Sequence, residues 1–307
     1  MLSLGRLDGR LNHSPCADIF LARARLAGTV ALAGLAGVPV RVEDLQNWIA
    51  GRSPPPRSHE GLNDPISLTS IFHIALLREE QESDPIAKAT LNTLRTIIDD
   101  RTEAETYGPG DLAHFGPMWR QIRAAASAPF VTGDLIEVAE RIFAVAALTE
   151  EALPTDTAIT TIDGRTLNIA PKGRDRNWLI GTAVPLMLRQ ADFTSRIIAS
   201  MIVMPKFLPP SPAHLAIWME KEIGRLSIAG LVELTELERL AASMLSDRDV
   251  TRRSKVPLLD RLLLAYPGLQ PPAIARLLQV TPQGARKLLR AAQQANAGTG
   301  KRQMNSG

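Results

Sequence analysis

Residues 256–294 read VPLLDRLLLAYPGLQPPAIARLLQVTPQGARKLLRAAQQ, and no other stretch of the chain is as informative. Apolar residues recur in it at the three-to-four-residue spacing of helices, and two proline-containing breaks divide the pattern. The stretch therefore predicts three short helices. They cover residues 256–266, 271–278 and 282–294, and the breaks are Pro267-Gly268 and Val280-Thr281-Pro282.

The second and third of these predicted helices resemble the helix-turn-helix motif of DNA-binding proteins. Two short helices that cross at a steep angle can share one core only if the residue at the crossing is small, and Ala275 stands there. Gln279 stands where the motif commonly has glycine, because the turn favours a positive φ. Apolar residues fill the core positions of the motif: Ile274, Leu278, Val280, Ala285 and Leu288.

The third predicted helix has two chemically different faces. One face is apolar, and the other presents long hydrogen-bond donors without any acid. In a helix-turn-helix the second helix lies in the major groove, where arginine pairs with guanine and glutamine with adenine. We predict base contacts from Gln283 and Arg286. Phosphate contacts are predicted from Thr281, Lys287 and Arg290, and from Arg252, Arg253 and Lys255 on the linker side.

Charge is divided unevenly along the chain. The net charge is +3 at pH 7, but residues 251–307 alone carry +9, which leaves −6 on the rest. A basic end on an acidic body suggests a polyanionic partner. A solvated basic surface on an ordinary three-helix unit would have the same charge. The small residue at the helix crossing and the Thr281-Pro282 start favour duplex DNA.

The rest of the chain predicts a mainly α fold. Aromatic residues make up only 4%, and alanine, leucine, arginine and glutamate dominate the periodic segments, which favours helix. Thr235–Glu238 matches a capping box that would begin a new helix. Further helices are predicted over 17–50 (two, broken near Gly37-Val38-Pro39), 67–80, 84–102, 112–126, 134–148 and 178–203, the last interrupted at Pro185.

One segment departs from the helical pattern. Asp163-Gly164 separates two β-prone runs, 158–162 and 165–169, and an Asp-Gly pair in that position predicts a tight hairpin turn. The fold class predicted is therefore mainly α, with one small β-hairpin in a multi-helical N-terminal domain and a three-helix domain at the C-terminus. The predicted divisions are a helical domain over 1–250 with a proline-rich joint near 205–212, the helix-turn-helix domain over 251–296, and a disordered tail over 297–307.

Catalytic and metal chemistry find no support in the residue pattern. None of the five histidines stands at ligand spacing from another histidine or from Cys16. Gly28, Gly34 and Gly37 lack the Lys-Ser/Thr pair of a phosphate-binding loop, so they are attributed to close helix packing. We therefore predict no enzyme activity, no metal and no cofactor. A single cysteine and the lack of an apolar run long enough to span a bilayer predict a cytoplasmic, non-membrane protein.

Two resemblances extend beyond the C-terminal motif. The LGRLDGRL stretch at residues 4–11, together with residues 26–45, resembles the N-terminal helical region of Fic-type AMP-transferases. The family's His-Pro-Phe and Gly-Asn-Gly-Arg run is absent from the chain, and Ala36 stands near the place of the inhibitory glutamate, so the resemblance implies no transferase chemistry. As a whole the chain resembles rhizobial, often plasmid-borne proteins in which a helical domain of unknown function precedes a helix-turn-helix.

The predicted function is sequence-specific DNA binding, as a transcriptional regulator that acts on double-stranded DNA. A homodimer is expected, because one short helix reads few base pairs and two half-sites multiply the affinity. The alternative is a non-catalytic protein-interaction module derived from a Fic-type helical scaffold.

Overall fold

A computed structural model of the chain describes residues 1–54, 65–77, 84–94, 116–151, 157–160, 166–169, 177–244 and 254–303. These residues are mainly α-helical, which confirms the predicted fold class. The helices are α1 (Leu2–His13), α2 (Ala17–Leu35), α3 (Val42–Ile49), α4 (Pro65–Leu77), α5 (Pro85–Leu94), α6 (Gly116–Ser127), α7 (Leu135–Glu151), α8 (Asn177–Gln190), α9 (Pro212–Met244), α10 (Val256–Ala265), α11 (Pro271–Leu278) and α12 (Pro282–Gln303).

Two short strands lie between α7 and α8. Strand β1 (Thr157–Thr160) pairs antiparallel with β2 (Thr166–Ile169), so that Thr160 stands opposite Thr166 and Thr157 opposite Ile169. The Asp163-Gly164 turn that the sequence predicts between them lies outside the described residues.

Helix α2 forms the centre of the fold. Its sequence is apolar on most of its circumference, and a helix of that kind must be surrounded by other elements. It packs against α4, α8 and α10, and Phe20, Leu26 and Leu32 are almost completely buried. The body and the C-terminal helices therefore share one continuous core that passes through α2.

The apolar run over 178–203 differs from its prediction. Helix α8 continues through Pro185 to Gln190, and the chain from Ile197 to Met204 is buried but not helical. Burial of neighbours such as Val184 and Met187 favours a continuous helix and offsets the hydrogen bond that proline cannot make. An apolar run without a polar face does not distinguish a helix from a buried irregular segment.

The capping box predicted at Thr235–Glu238 is wrong, because α9 runs through it without a break. The Thr235 hydroxyl donates to the Leu231 carbonyl at 2.8 Å, inside the helix. Arg10 donates to Thr235 and to Glu238, and Ser14 donates to Glu238. These residues therefore tie α9 to the end of α1, which is a tertiary role that a local pattern does not reveal.

The three C-terminal helices pack directly on the body. Arg23 on α2 donates two hydrogen bonds to the Leu264 carbonyl, and Arg261 on α10 forms an ion pair with Asp18. The predicted boundary between residues 250 and 251 lies outside the described residues. Helix α12 reaches Gln303, into the tail predicted to be disordered from residue 297, because adding residues to an existing helix costs little.

Candidate nucleic-acid interface

A tight turn separates α11 from α12. Helix α11 ends at Leu278, and Gln279 adopts the left-handed conformation with φ of 49° and ψ of 57°. The Val280 N–H donates to the Ala275 carbonyl at 3.0 Å, which closes the end of the helix. The positive φ that the motif resemblance implies at this position is therefore present, although a glutamine rather than a glycine adopts it.

Two side chains from other elements hold this turn. Asn92 on α5 donates to the Leu277 carbonyl at 3.0 Å and accepts a hydrogen bond from the Gln279 side chain at 3.1 Å. The Lys255 ammonium donates to the Leu278 carbonyl at 2.5 Å. Carbonyls at the end of a helix lack partners within it, so these contacts satisfy them and stabilise the geometry of the turn.

Substitutions at Gln279 test the strained conformation of the turn. Gln279→Gly relieves the steric cost of the positive φ, about 1–2 kcal/mol, and loses the exposed hydrogen bond to Asn92, about 0.5–1 kcal/mol. The free energy of unfolding should therefore rise by up to about 1 kcal/mol. Gln279→Val should lower it by about 1–2 kcal/mol. Urea denaturation followed by circular dichroism measures both changes.

The control for that series is Gln293→Gly, at an exposed right-handed position of α12. It should lower the free energy of unfolding by about 0.5–1 kcal/mol. If the two glycine variants lower the free energy of unfolding equally, Gln279 does not hold a strained conformation in the turn.

Helix α12 begins as the sequence predicts. The Gly284 N–H donates to the Thr281 hydroxyl oxygen at 3.1 Å, and Pro282 is the first helical residue, where a missing N–H costs nothing. Ala285 and Ala292 are fully buried against the preceding helices. This packing fixes which side of α12 faces the protein.

The opposite side of α12 faces solvent. Gln283, Arg286, Lys287 and Arg290 are all exposed. Among residues 254–303 the only acid is Asp260, which is 3% exposed, so α10, α11 and α12 place no exposed carboxylate beside these side chains. Four long donors on two successive turns, without a competing acid, can contact phosphates and base edges together.

The other predicted contact residues have different surroundings. Thr281 uses its oxygen as the helix cap, yet its hydroxyl hydrogen can still donate. Lys255 is exposed but directs its ammonium to the turn. Arg252 and Arg253 lie outside the described residues. Sequence reasoning missed Asn92, because a residue so far along the chain carries no local signal of contact with this turn.

Comparisons with protein-family models, with curated proteins and with solved structures find no match to the chain. Within the described residues, no helix is both long and apolar enough to cross a membrane. The same residues contain no group of three or more histidine, cysteine or acidic side chains placed to hold a metal ion.

Proposed function

We propose that the chain is a sequence-specific DNA-binding protein and that α11 and α12 form its helix-turn-helix. The observation that carries the proposal is the exposed face of α12, where Gln283, Arg286, Lys287 and Arg290 stand without an acid among them. The left-handed turn at Gln279 supports it, since it separates two short helices that pack on each other.

Position along α12 assigns a role to each side chain. The first turns of a recognition helix approach the base edges most closely, so Gln283 and Arg286 are assigned to bases. Lys287 and Arg290 are assigned to phosphates, together with the Thr281 hydroxyl. Arg252 and Arg253 are assigned to the DNA backbone, and Lys255 contributes charge there while it holds the turn.

A homodimer and a role in transcription complete the proposal. Two copies would place two recognition helices on two half-sites about one helical turn of DNA apart. The helical body would supply the contact between copies or would respond to a small molecule. The resemblance to helical proteins with a C-terminal helix-turn-helix favours this arrangement.

A protein-interaction module remains the second candidate because of exposed apolar side chains on α9. Ile217, Ile228 and Val232 on that helix are 71%, 59% and 67% exposed. Apolar groups that recur along one helix suggest a protein partner. Under this alternative, the charge on α12 would bind any polyanion without preference for sequence.

The decisive experiment selects preferred duplexes from a random pool and then measures affinity at several salt concentrations. Arg286→Ala should cost about 1–3 kcal/mol for the preferred duplex and relax its sequence preference. Lys287→Ala should weaken all duplexes alike and reduce the salt slope by about one phosphate contact.

The matched control is Arg189→Ala, which removes an exposed arginine at the end of α8. It should leave both sequence preference and salt slope near those of the parent. If no sequence is enriched, or if both α12 variants bind every duplex as the parent does, DNA recognition by α12 is wrong.

A further inference from the structure

A cavity of about 490 Å³ lies away from the exposed face of α12. Its wall is built from the start of α2, the start of α5, α10 and the segment after α8. Asp18, Asp84, Arg196 and Arg261 line it, together with the apolar side chains of Ala17 and Leu21. Cavities of this volume are typical of small-molecule sites in proteins.

Three of the four charged side chains in this wall are already paired. Arg261 donates from Nε to Asp18 at 2.6 Å and forms an ion pair with it. Asp84 pairs with Arg25 at 2.8 Å and also accepts hydrogen bonds from the backbone N–H groups of Ile86 and Ala87. Both carboxylates are therefore neutralised by residues of the protein itself.

Arg196 is the remaining charge. Its Nη2 donates to the neutral Asn12 side chain at 2.6 Å, and it makes no ion pair within the described part of the chain. Its Nε is buried without a hydrogen-bond partner among those residues. The nearby carboxylate of Asp8 instead accepts hydrogen bonds from the backbone and hydroxyl of Ser195. One positive charge in the wall of the cavity is thus uncompensated.

We propose that this cavity binds a small organic carboxylate whose charge pairs with Arg196, and that the bound molecule alters the DNA affinity of the C-terminal helices. A guanidinium presents a fork of donors that matches a carboxylate, and Ala17, Leu21 and Pro85 offer apolar contact to the rest of the ligand.

The regulatory half of this inference rests on the proposed function. Arg261 belongs to α10, which packs against α12, so a molecule in the cavity contacts the helix that supports the DNA-binding surface. A ligand changes DNA affinity only if it favours one arrangement of these helices over another. The bound carboxylate would stand beside the Asp18–Arg261 contact that joins α2 to α10, where it could favour one arrangement of the two helices.

Benzoate is the probe, with benzyl alcohol as its uncharged counterpart and sodium chloride to match ionic strength. At about ten times its dissociation constant, benzoate should raise the Tm of the full chain by about 2–4 °C, whereas benzyl alcohol should not. Arg196→Gln should abolish the shift, and Arg189→Gln, which removes a charge outside the cavity, should retain it. Ala17→Phe should also abolish it by filling the space while Arg196 is kept.

Circular dichroism and the Tm without ligand establish that each variant is folded. A benzoate shift that is absent in the parent, or equal in the Arg196 and Arg189 variants, overturns the site. The effect of benzoate on DNA affinity is measured in a separate experiment. If saturating benzoate leaves the DNA affinity unchanged while Arg286→Ala still lowers it, the regulatory half is overturned and the proposed function stands. If the parent selects no duplex, the proposed function fails while the benzoate result is read on its own.

Discussion

Replacement of Gly28 by alanine is expected to lower the free energy of unfolding by about 3 kcal/mol or more, or to prevent folding. An added Cβ at this position would lie 2.0 Å from the Ala199 carbonyl oxygen and 2.8 Å from its carbon. Both atoms belong to the backbone of the buried segment after α8, so no side chain can rotate away. Relief requires α2 and that segment to separate, which opens the core around them.

The same helix offers a matched control in Gly34. A Cβ built there meets no atom within 4 Å, and the residue is exposed. Gly34→Ala should therefore raise the free energy of unfolding by about 1 kcal/mol, since alanine favours helix over glycine. Urea denaturation of the two variants beside the parent measures the contrast. A Gly28→Ala protein within about 1 kcal/mol of the parent would contradict the close approach.

These glycines illustrate what the sequence could predict and what it could not. Close packing explains Gly28, although the backbone nearest to it belongs to the irregular segment at Ala199 and not to a helix. It does not explain Gly34, where an added Cβ would meet no atom within 4 Å. Gly37 serves a third purpose, because it adopts a φ of 73° after α2 ends. The three residues look alike in the sequence, since only the tertiary neighbours of each one separate a tight contact from open space or a turn.

Some helix boundaries are set by neighbouring residues in the sequence, and others depend on contacts with distant residues. Thr281 and Pro282 begin α12 as predicted, because a cap and a proline act within one turn of the chain. The Thr235 pattern is chemically similar but lies inside α9, where Arg10 occupies the hydroxyl and the nearby Glu238. Arg10 on α1 is the partner of these two side chains, and it is too far away in the sequence for a local pattern to reveal the contact.

The sequence predicts which side chains of α12 are exposed, but it does not predict which residues of other helices hold the turn before α12. Helical periodicity alone places Arg286 and Arg290 opposite Ala285 and Ala292, and the structure has the arginines exposed and the alanines buried. Asn92, which holds the turn between the two helices, has no such periodic signal. Helical periodicity predicts which side of a single helix is buried, whereas contacts between helices depend on the whole fold.

The second large effect is expected at the buried ion pair between α2 and the start of α5. Arg25 is 0% exposed and Asp84 is 8% exposed, and their nearest side-chain atoms are 2.8 Å apart. Asp84→Asn should lower the free energy of unfolding by about 3–5 kcal/mol, because the fully buried guanidinium of Arg25 loses the carboxylate of Asp84. Asparagine keeps an oxygen that can accept the Ile86 and Ala87 N–H groups, so the loss reports on charge rather than on the helix cap.

Two side chains near Arg25, His73 and Tyr266, cannot replace the negative charge lost from Asp84. Burial, together with the charge of Arg25, lowers the pKa of His73 to about 3, so that ring is neutral. Burial raises the pKa of Tyr266, which therefore stays protonated while its hydroxyl shares a hydrogen bond with Thr90. Neither side chain carries a charge near neutral pH, so neither substitutes for the carboxylate of Asp84.

The double variant Arg25→Met/Asp84→Asn separates charge from packing. Methionine fills much of the volume of the arginine stem without its charge, so the double variant should recover most of the stability that Asp84→Asn loses. Urea denaturation of the parent, both single variants and the double variant gives the coupling energy of the pair. Losses that simply add would mean that the two side chains act independently. A large favourable coupling instead means that the ion pair stabilises the packing of α2 against the start of α5, the helix whose Asn92 contacts the turn before α12.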